Sequence, residues 1–413
     1  MRILIVGSGG REHALAWKLA QEAEVHASPG NPGIAECAQC HLASPSIADL
    51  TALAKNLSPD LVVVGPEAPL IAGLADSLRT HEIPTFGVDA AGAQLEGSKA
   101  FSKELMRAAG VPTARYLTVS EADEAREFAR QSYLEGRQLA VKVSGPALGK
   151  GVAVCDSLEM ALEEIDRALV RGEFGEAGRK LVLEERLFGR EFSLMCLCSG
   201  ERFVSLPLAQ DYKRAWEGDA GPNTGGMGSY SPVEWVDDGL VHETERRVIA
   251  PLLTGLRNRG IDYRGALFAG LMVVEGEPFC LEYNVRFGDP ETQSVMPRLG
   301  DGFADSLLGV ALGRPPQPIA VRDLACVTVI VASRGYPGAI EKGLPIEVGP
   351  VADDALLFHA GTAVSEGRWV TAGGRVMGAT GLGPDLPAAR SAAYRAAEQV
   401  RFEGAWFRPD IGN

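Results

Sequence analysis

The chain has 413 residues, 46% hydrophobic and 23% charged, enough for about three domains with separate cores. A net charge of −14 excludes a global basic footprint for nucleic acid or an anionic membrane, so phosphates would need local clusters of Lys, Arg and backbone N–H groups. No apolar run approaches the roughly 20 residues that span a bilayer, and the seven scattered cysteines suit a reducing cytoplasm.

Residues 1–98 alternate strand and helix signals. Arg2–Val6 is a predicted buried strand rather than a signal peptide. A helix over Glu12–Gln21, a strand over Asp60–Val64 and a helix over Ile71–His81 follow. Turns rich in Gly and Pro close the strands, as expected of an open parallel sheet with ligands at its carboxyl edge. Gly7-Ser8-Gly9-Gly10-Arg11-Glu12 offers a helix N-terminus to a phosphate. As a dinucleotide fingerprint it lacks the third glycine, and the strand at Val25–Ser28 lacks the ribose-binding acid. A tight turn needing only glycine's freedom remains the plainer alternative. Cys37-Ala38-Gln39-Cys40-His41 has haem-attachment spacing but no export signal, and is taken as coincidence.

From Ser98 to about Pro315 the pattern changes. Helices are predicted over Lys99–Ala109, Glu121–Gln131 and Thr244–Asn258, and strands over Leu139–Val143, Gly151–Cys155, Leu181–Glu185, Phe192–Cys198, Ala266–Val274 and Pro278–Asn284. Val141-Lys142-Val143 sets a lysine in an apolar strand, where an unpaired ammonium is costly. Gly145-Pro146-Ala147-Leu148-Gly149-Lys150-Gly151 is no Walker A, since Gly151 stands where Ser or Thr would follow the lysine. It reads as a hairpin loop able to cover a triphosphate, with a solvated surface hairpin as the bland alternative. The polar stretch Asp211–Ser229 favours a substrate loop over a linker. Glu282 and Asn284, at i and i+2 of one strand, share a face and suit Mg²⁺, with Arg286 close behind. A solvated strand end would read the same way. The Pro-rich segment at 314–318 marks a boundary. Beyond it a β-rich domain is predicted, with strands near Ala325–Ala332, Ala355–Thr362 and Arg375–Thr380 and two helices, the clearer at Pro387–Arg401. No triad or metal spacing involves the six histidines; His13 and His359 are treated as satisfied polar residues.

Several runs occur in an order that carries more than any one of them: Gly9-Gly10-Arg11-Glu12-His13-Ala14, Val64-Gly65-Pro66-Glu67-Ala68-Pro69-Leu70, Glu96-Gly97-Ser98-Lys99-Ala100-Phe101, Gly221–Gly228 and Arg286–Gln293. Together with Phe358-His359-Ala360-Gly361-Thr362, they resemble the glycinamide ribonucleotide synthetase (phosphoribosylamine–glycine ligase) family of ATP-grasp enzymes over essentially the full chain. The resemblance implies a mixed α/β and α+β multidomain fold. It comprises an N-terminal parallel-sheet (pre-ATP-grasp) domain at 1–98, a two-lobed ATP-grasp unit at 99–315 with a mobile lid near 114–187, and a small C-terminal α+β domain at 316–413.

The same resemblance implies an ATP-dependent ligation of glycine to phosphoribosylamine through glycyl phosphate, in purine biosynthesis. Lys99 and Lys142 would contact phosphates under the loop Gly149-Lys150-Gly151. Glu184, Glu185 and Leu187 would form the adenine hinge, Glu191 would hold the ribose, and Leu281 would pack under the base. Glu282 and Asn284 would hold Mg²⁺ or Mn²⁺. Lys142, Lys150, Arg286, Asp211 and Lys213 would serve the chemistry. Gly9, Gly10, Arg11, Glu12, Gly65, Pro66 and Glu67 would hold the sugar phosphate, with Asn223, Thr224, Gly225, Asp289 and Glu291 as further substrate contacts. The expected enzyme is cytoplasmic, a monomer or weak homodimer, with small-molecule partners and no nucleic acid or membrane. Three departures stand out: Ser144 replaces a customary Asp, Tyr212 replaces a common His, and the strand Phe268–Met272 lacks a carboxylate. Competing readings are another ATP-grasp ligase or carboxylase, a nicotinamide oxidoreductase, and a silent nucleotide-binding module.

Overall fold

The computed structural model describes residues 1–147 and 151–413. Gly149 and Lys150, two of the predicted nucleotide contacts, lie outside the described residues. The first unit is a five-stranded parallel sheet in the order Gln39–Cys40, Glu24–Pro29, Arg2–Gly7, Leu61–Val64, Thr85–Phe86. Its central strands are buried on both faces, so they read as unbroken apolar runs rather than alternating ones. Strand order reverses between Arg2–Gly7 and Leu61–Val64, and a crevice opens at such a switch point. The first helix spans Gly10–Leu19, two residues earlier than expected. Glu67–Ile71 forms a separate helical turn ahead of Leu74–Thr80.

Two antiparallel sheets follow. The smaller has the order Tyr116–Val119, Leu181–Glu185, Leu139–Val143, Val152–Cys155, and closes a core of its own around Leu139, Val141, Ile165 and Leu183. A lobe with a private core can move as a unit. The larger sheet runs Arg202–Ser205, Arg190–Ser199, Arg264–Val274, Glu277–Asn284. The helix predicted over Thr244–Asn258 begins earlier, at Asp238, and passes through a wide turn at Glu245–Ile249.

The last sheet is not confined to the chain's final hundred residues. Its order is Gln210–Asp211, Gly228–Ser231, Ala325–Ala332, Arg375–Gly383, Ala355–His359, so two strands come from the middle of the sequence. The helix Leu386–Ala397 lies so close to it that a Cβ on Gly381 would sit 2.1 Å from the Ala389 carbonyl oxygen. Two expectations are corrected here. Among the described residues beyond 315 this is the only helix. The predicted strand Ala355–Thr362 breaks after His359, where Gly361 approaches Gly373, and pairing resumes at Thr362–Ser365.

Candidate functional site

At the crevice of the parallel sheet the helix Gly10–Leu19 presents its N-terminus, but an internal anion already serves it. Glu12 Oε2 accepts the Gly9 N–H at 2.6 Å and Glu12 Oε1 accepts from Arg11 Nε at 2.5 Å. Gly7 and Gly65 are glycines for a steric reason: a Cβ on either would meet the Glu12 side chain at 2.5 and 2.3 Å. The expected phosphate at this turn therefore competes with Glu12 for that N–H. Pro66 precedes the Glu67–Ile71 turn, and Glu67 lies 3.6 Å from Arg286 Nε. Arg11 and Arg286 both donate to the Phe287 carbonyl, at 3.1 and 3.2 Å, which joins the crevice to the larger lobe.

The helix Lys99–Ala109 starts where Ser98 Oγ accepts the Phe101 N–H at 3.2 Å. Ser144 completes that start: its Oγ accepts the Ala100 N–H at 3.1 Å and its carbonyl accepts the Lys99 N–H at 2.9 Å. The Ser in place of Asp thus fastens the small lobe to the base of the lysine-bearing helix.

Lys142 is not a solvated surface lysine. Glu184, only 3% exposed, pairs with both Lys142 and Lys103. Burial pushes the Glu184 carboxyl up, and the two ammonium groups bring it below the usual carboxylate range. Lys103 also donates to Thr113 Oγ1 at 2.6 Å. Glu184 was expected as a hinge residue acting through its backbone. Its side chain, in addition, is the fixed counter-ion of Lys142 and Lys103, the second a partner with no local signal in the sequence. Glu185 N–H donates to the Arg115 carbonyl at 2.8 Å, and half-buried Leu187 follows beyond the strand end.

The strand Glu277–Asn284 carries a bulge. Gly270 pairs with Glu282 and Leu271 with Cys280, so Leu281 is the extra residue. Cys280 and Tyr283 enter the core, while Leu281, Glu282 and Asn284 stay half-buried on the open face. Strict alternation would have turned Leu281 away from Glu282; the bulge lets an apolar platform and two oxygen donors share one face. Burial raises the Glu282 carboxyl, and Lys213, Lys142, Lys99 and Arg286 draw it below its ordinary value. Lys99 is itself lowered by burial, partly opposed by Glu282.

Next to Glu282 sits Lys213, paired with Glu191 and 3.8 Å from Asp211 Oδ1. Burial, opposed by Lys213 and reinforced by Glu291, Glu191 and Glu282, pushes Asp211 up to about 7. Asp211, Glu191 and Glu282 in turn favour the charged form of Lys213. Asp211, from another strand, acts electrostatically on Glu282, but among the described residues no three His, Cys, Asp or Glu side chains gather as a metal site. Glu191, the residue expected at the ribose, pairs with Lys213 through one carboxylate oxygen and keeps a side chain 34% exposed. Glu291 is 3% exposed and accepts from Ser193 Oγ at 3.1 Å.

The stretch Asp211–Ser229 is a folded hairpin, with Arg214–Trp216 paired to Ala220–Asn223. Thr224 donates twice to the Lys213 carbonyl, through N–H at 2.8 Å and Oγ1 at 2.9 Å. Arg375, absent from the predicted set, reaches in from the C-terminal sheet. It pairs with Asp289 at 2.9 Å and donates to the Gly225 carbonyl. Gln293 Nε2 takes the other Asp289 oxygen at 2.8 Å. Burial raises Asp289, but Arg375 and Arg11 hold it ionised below its usual range. Arg286 is locked between Glu96, at 2.9 Å, and Glu67.

Three family models match in order: the N domain of phosphoribosylglycinamide synthetase over residues 1–96, its ATP-grasp (A) domain over 97–292 and its C domain over 326–413. The chain belongs to the phosphoribosylglycinamide synthetase family. The phosphoribosylamine–glycine ligase of Rhizobium meliloti is 46% identical over 418 residues, spanning 100% of this chain and 98% of that protein. That of Agrobacterium fabrum is 44% identical over 420 residues, with the same coverage. The crystal structure of the Thermotoga maritima phosphoribosylamine–glycine ligase superposes with a TM-score of 0.85 at 36% identity, covering 99% of this chain and 100% of that one. A biotin carboxylase domain from Hydrogenobacter thermophilus 2-oxoglutarate carboxylase, at 16% identity, TM-score 0.75 and coverage of 98% and 91%, shares the fold. The phosphoribosylglycinamide synthetase assignment thus spans all three units, and the predicted mixed α/β architecture holds.

Proposed function

We propose that this chain carries out its ligation in two steps at the face shared by Leu281, Glu282 and Asn284. The chain is an ATP-dependent carbon–nitrogen ligase, phosphoribosylamine–glycine ligase, of de novo purine biosynthesis. In the first step a glycine carboxylate oxygen attacks the γ-phosphorus of ATP and ADP leaves. In the second the amine of phosphoribosylamine attacks the acyl carbon of glycyl phosphate, expelling phosphate. Phosphoryl transfer asks a protein chiefly for positioning and charge neutralisation. The observation that carries this reading is the set of buried cations, Lys142 paired with Glu184, Lys213 with Glu191 and Arg286 with Glu96, whose charges act on Glu282 of the bulged strand.

In this reading Lys99 and Lys142 neutralise the nucleotide phosphates, with Lys150 as a further cation. The base lies on Leu281 against Glu185 and Leu187. Lys213, steadied by Asp211 and Glu191, faces the phosphoryl group in flight with Arg286. Asp289 and Glu291 orient the glycine ammonium beside Asn223, Thr224 and Gly225. The crevice groups Gly10, Gly65, Pro66, Glu67 and Arg11 border the sugar phosphate. Glu282 and Asn284 would hold Mg²⁺ or Mn²⁺, with Asp211 nearby; bound there, the ion would polarise the phosphate oxygens as a Lewis acid. Free thiols at all seven cysteines, and no helix among the described residues long and apolar enough to cross a membrane, support a cytoplasmic enzyme of small molecules. We place it as a monomer or weak homodimer.

Glu282→Ala tests the assignment. Turnover should fall at least about 100-fold while the KM for glycine changes little. EDTA should abolish activity, and added Mg²⁺ or Mn²⁺ should restore it. Near-normal kcat in Glu282→Ala would defeat the metal site.

A further inference from the structure

Lys213 is flanked by Tyr212 and Arg214, and one buried guanidinium from the end of the chain holds both neighbours. Arg408 is 1% exposed. Its carbon Cζ lies 5.0 Å from the centre of the Tyr212 ring, and its Nη1 donates to the Arg214 carbonyl at 2.8 Å. The same Nη1 reaches Asp219, at the tip of the hairpin, at 3.1 Å. Asp410 fixes the fork from behind through two parallel bonds, Nε to Oδ1 at 2.8 Å and Nη2 to Oδ2 at 2.6 Å. Bidentate pairing of this kind sets orientation as well as energy.

The segment bearing Arg408 is itself anchored. Ile411 is fully buried, its N–H donates to Tyr394 Oη at 2.9 Å, and the Gly412 N–H donates to Tyr212 Oη at 3.0 Å. Asp410 Oδ2 also accepts the Gly218 N–H at 3.0 Å. Thr224 holds the carbonyl of Lys213, so the residues before and after Lys213 answer to Arg408 and Lys213 itself answers to the hairpin. A long lysine stem aims its ammonium only as well as its backbone is held. Burying a guanidinium is costly and adds little net stability even when paired, so its value lies in fixing an arrangement.

We propose that Arg408 is a positioning residue for the ligation, acting through Tyr212, Arg214 and Asp219 to aim Lys213 at the phosphoryl group. This inference rests on the reading of Lys213 as a phosphate-facing group, and the test separates the two.

The test is a double-mutant cycle on the full chain, scored by kcat, the KM for ATP and the thermal midpoint, with enough enzyme to read residual turnover. Arg408→Lys keeps the charge but loses the fork. Asp219→Asn removes the carboxylate charge from the tie to the hairpin tip and so weakens it; the side chain is 70% exposed, and its positive φ of 52° is one that asparagine adopts readily. We expect Arg408→Lys to lower kcat about tenfold and Asp219→Asn about threefold, each with the KM for ATP within twofold. In a Lys213→Met background both effects should vanish, since there is no ammonium left to aim. If Arg408→Lys fails to fold, the Asp219→Asn cycle decides alone. The same fold-loss with and without Lys213, or a raised KM for ATP with a lowered midpoint, reduces Arg408 to a structural part and overturns the proposal. Parent-like kcat in Lys213→Met sinks the Lys213 reading instead.

Discussion

Lys142 and Lys103 share a single carboxylate, and that sharing sets what the nucleotide meets. With Glu184 neutralised, two buried ammonium groups would face each other without a counter-charge. Breaking a buried pair by removing one member typically costs about 3–5 kcal/mol. Glu184→Gln should therefore lower the thermal midpoint and weaken ATP binding at least tenfold, as read by calorimetry. Unchanged affinity would show that Lys142 is held by something else. Lys142 was legible in the sequence because a lysine in an apolar strand demands an explanation. Lys103 was not: one turn beyond Lys99, it reads as an ordinary solvated helix lysine until packing of the helix against the Leu181–Glu185 strand is known. Arg375 and Arg408 escaped for a related reason, since each acts on residues at least 86 positions away and no local pattern carries that information.

At the scale of the element, the bulge in Glu277–Asn284 does what a regular strand cannot. Deleting Leu281 should restore an uninterrupted ladder, leaving Glu282 and Asn284 on the open face while removing the apolar platform. The expected outcome is a folded protein by circular dichroism with the KM for ATP raised at least fivefold. An unchanged KM would take Leu281 out of the nucleotide site. The sequence showed the strand and the shared face of Glu282 and Asn284, because period-two alternation is local. The extra residue is set by the register against Arg264–Val274, which is not. Likewise Asp211–Ser229, rich in glycine, read as a loop; its pairing as a hairpin and the adoption of Gly228–Ser231 by the C-terminal sheet depend on distant partners.

Across the whole molecule, the first and last units meet through histidines. The His359 N–H donates to His13 Nδ1 at 2.8 Å, and Asn31 Nδ2 donates to the His359 carbonyl at 2.8 Å. Gly33 must lack a side chain here, since a Cβ would lie 2.3 Å from His13 Cε1. Gly33→Ala should therefore cost about 1–3 kcal/mol, seen as a lower urea midpoint. Burial, with His359 alongside, lowers His13 to about 3, and burial lowers His359 to about 4. Between those values and the ordinary 6.5, the unfolded chain binds protons that the folded one does not. Stability from this seam is thus complete above about pH 6.5 and declines as pH falls toward 4 and 3. A His13→Asn variant should show a shallower loss of urea midpoint over that window than the parent; parallel curves would remove His13 from the acid response. The order of the three units along the chain was plain from their motifs, but the seam between the outer two was not, because the His13–His359 contact joins residues 346 positions apart.

The pairing of Lys213 with Glu191 and Asp211 beside an ionised Glu282 has a consequence for the order in which reactants arrive. Uncomplexed ATP would set its phosphates against the ionised Glu282 while Lys142 and Lys213 are already engaged by carboxylates, whereas its chelate brings a cation of its own to that carboxylate. The vestibule therefore acts as a filter for the chelated nucleotide: velocity should track the concentration of the metal–ATP complex, and surplus bare ATP should be a feeble competitor.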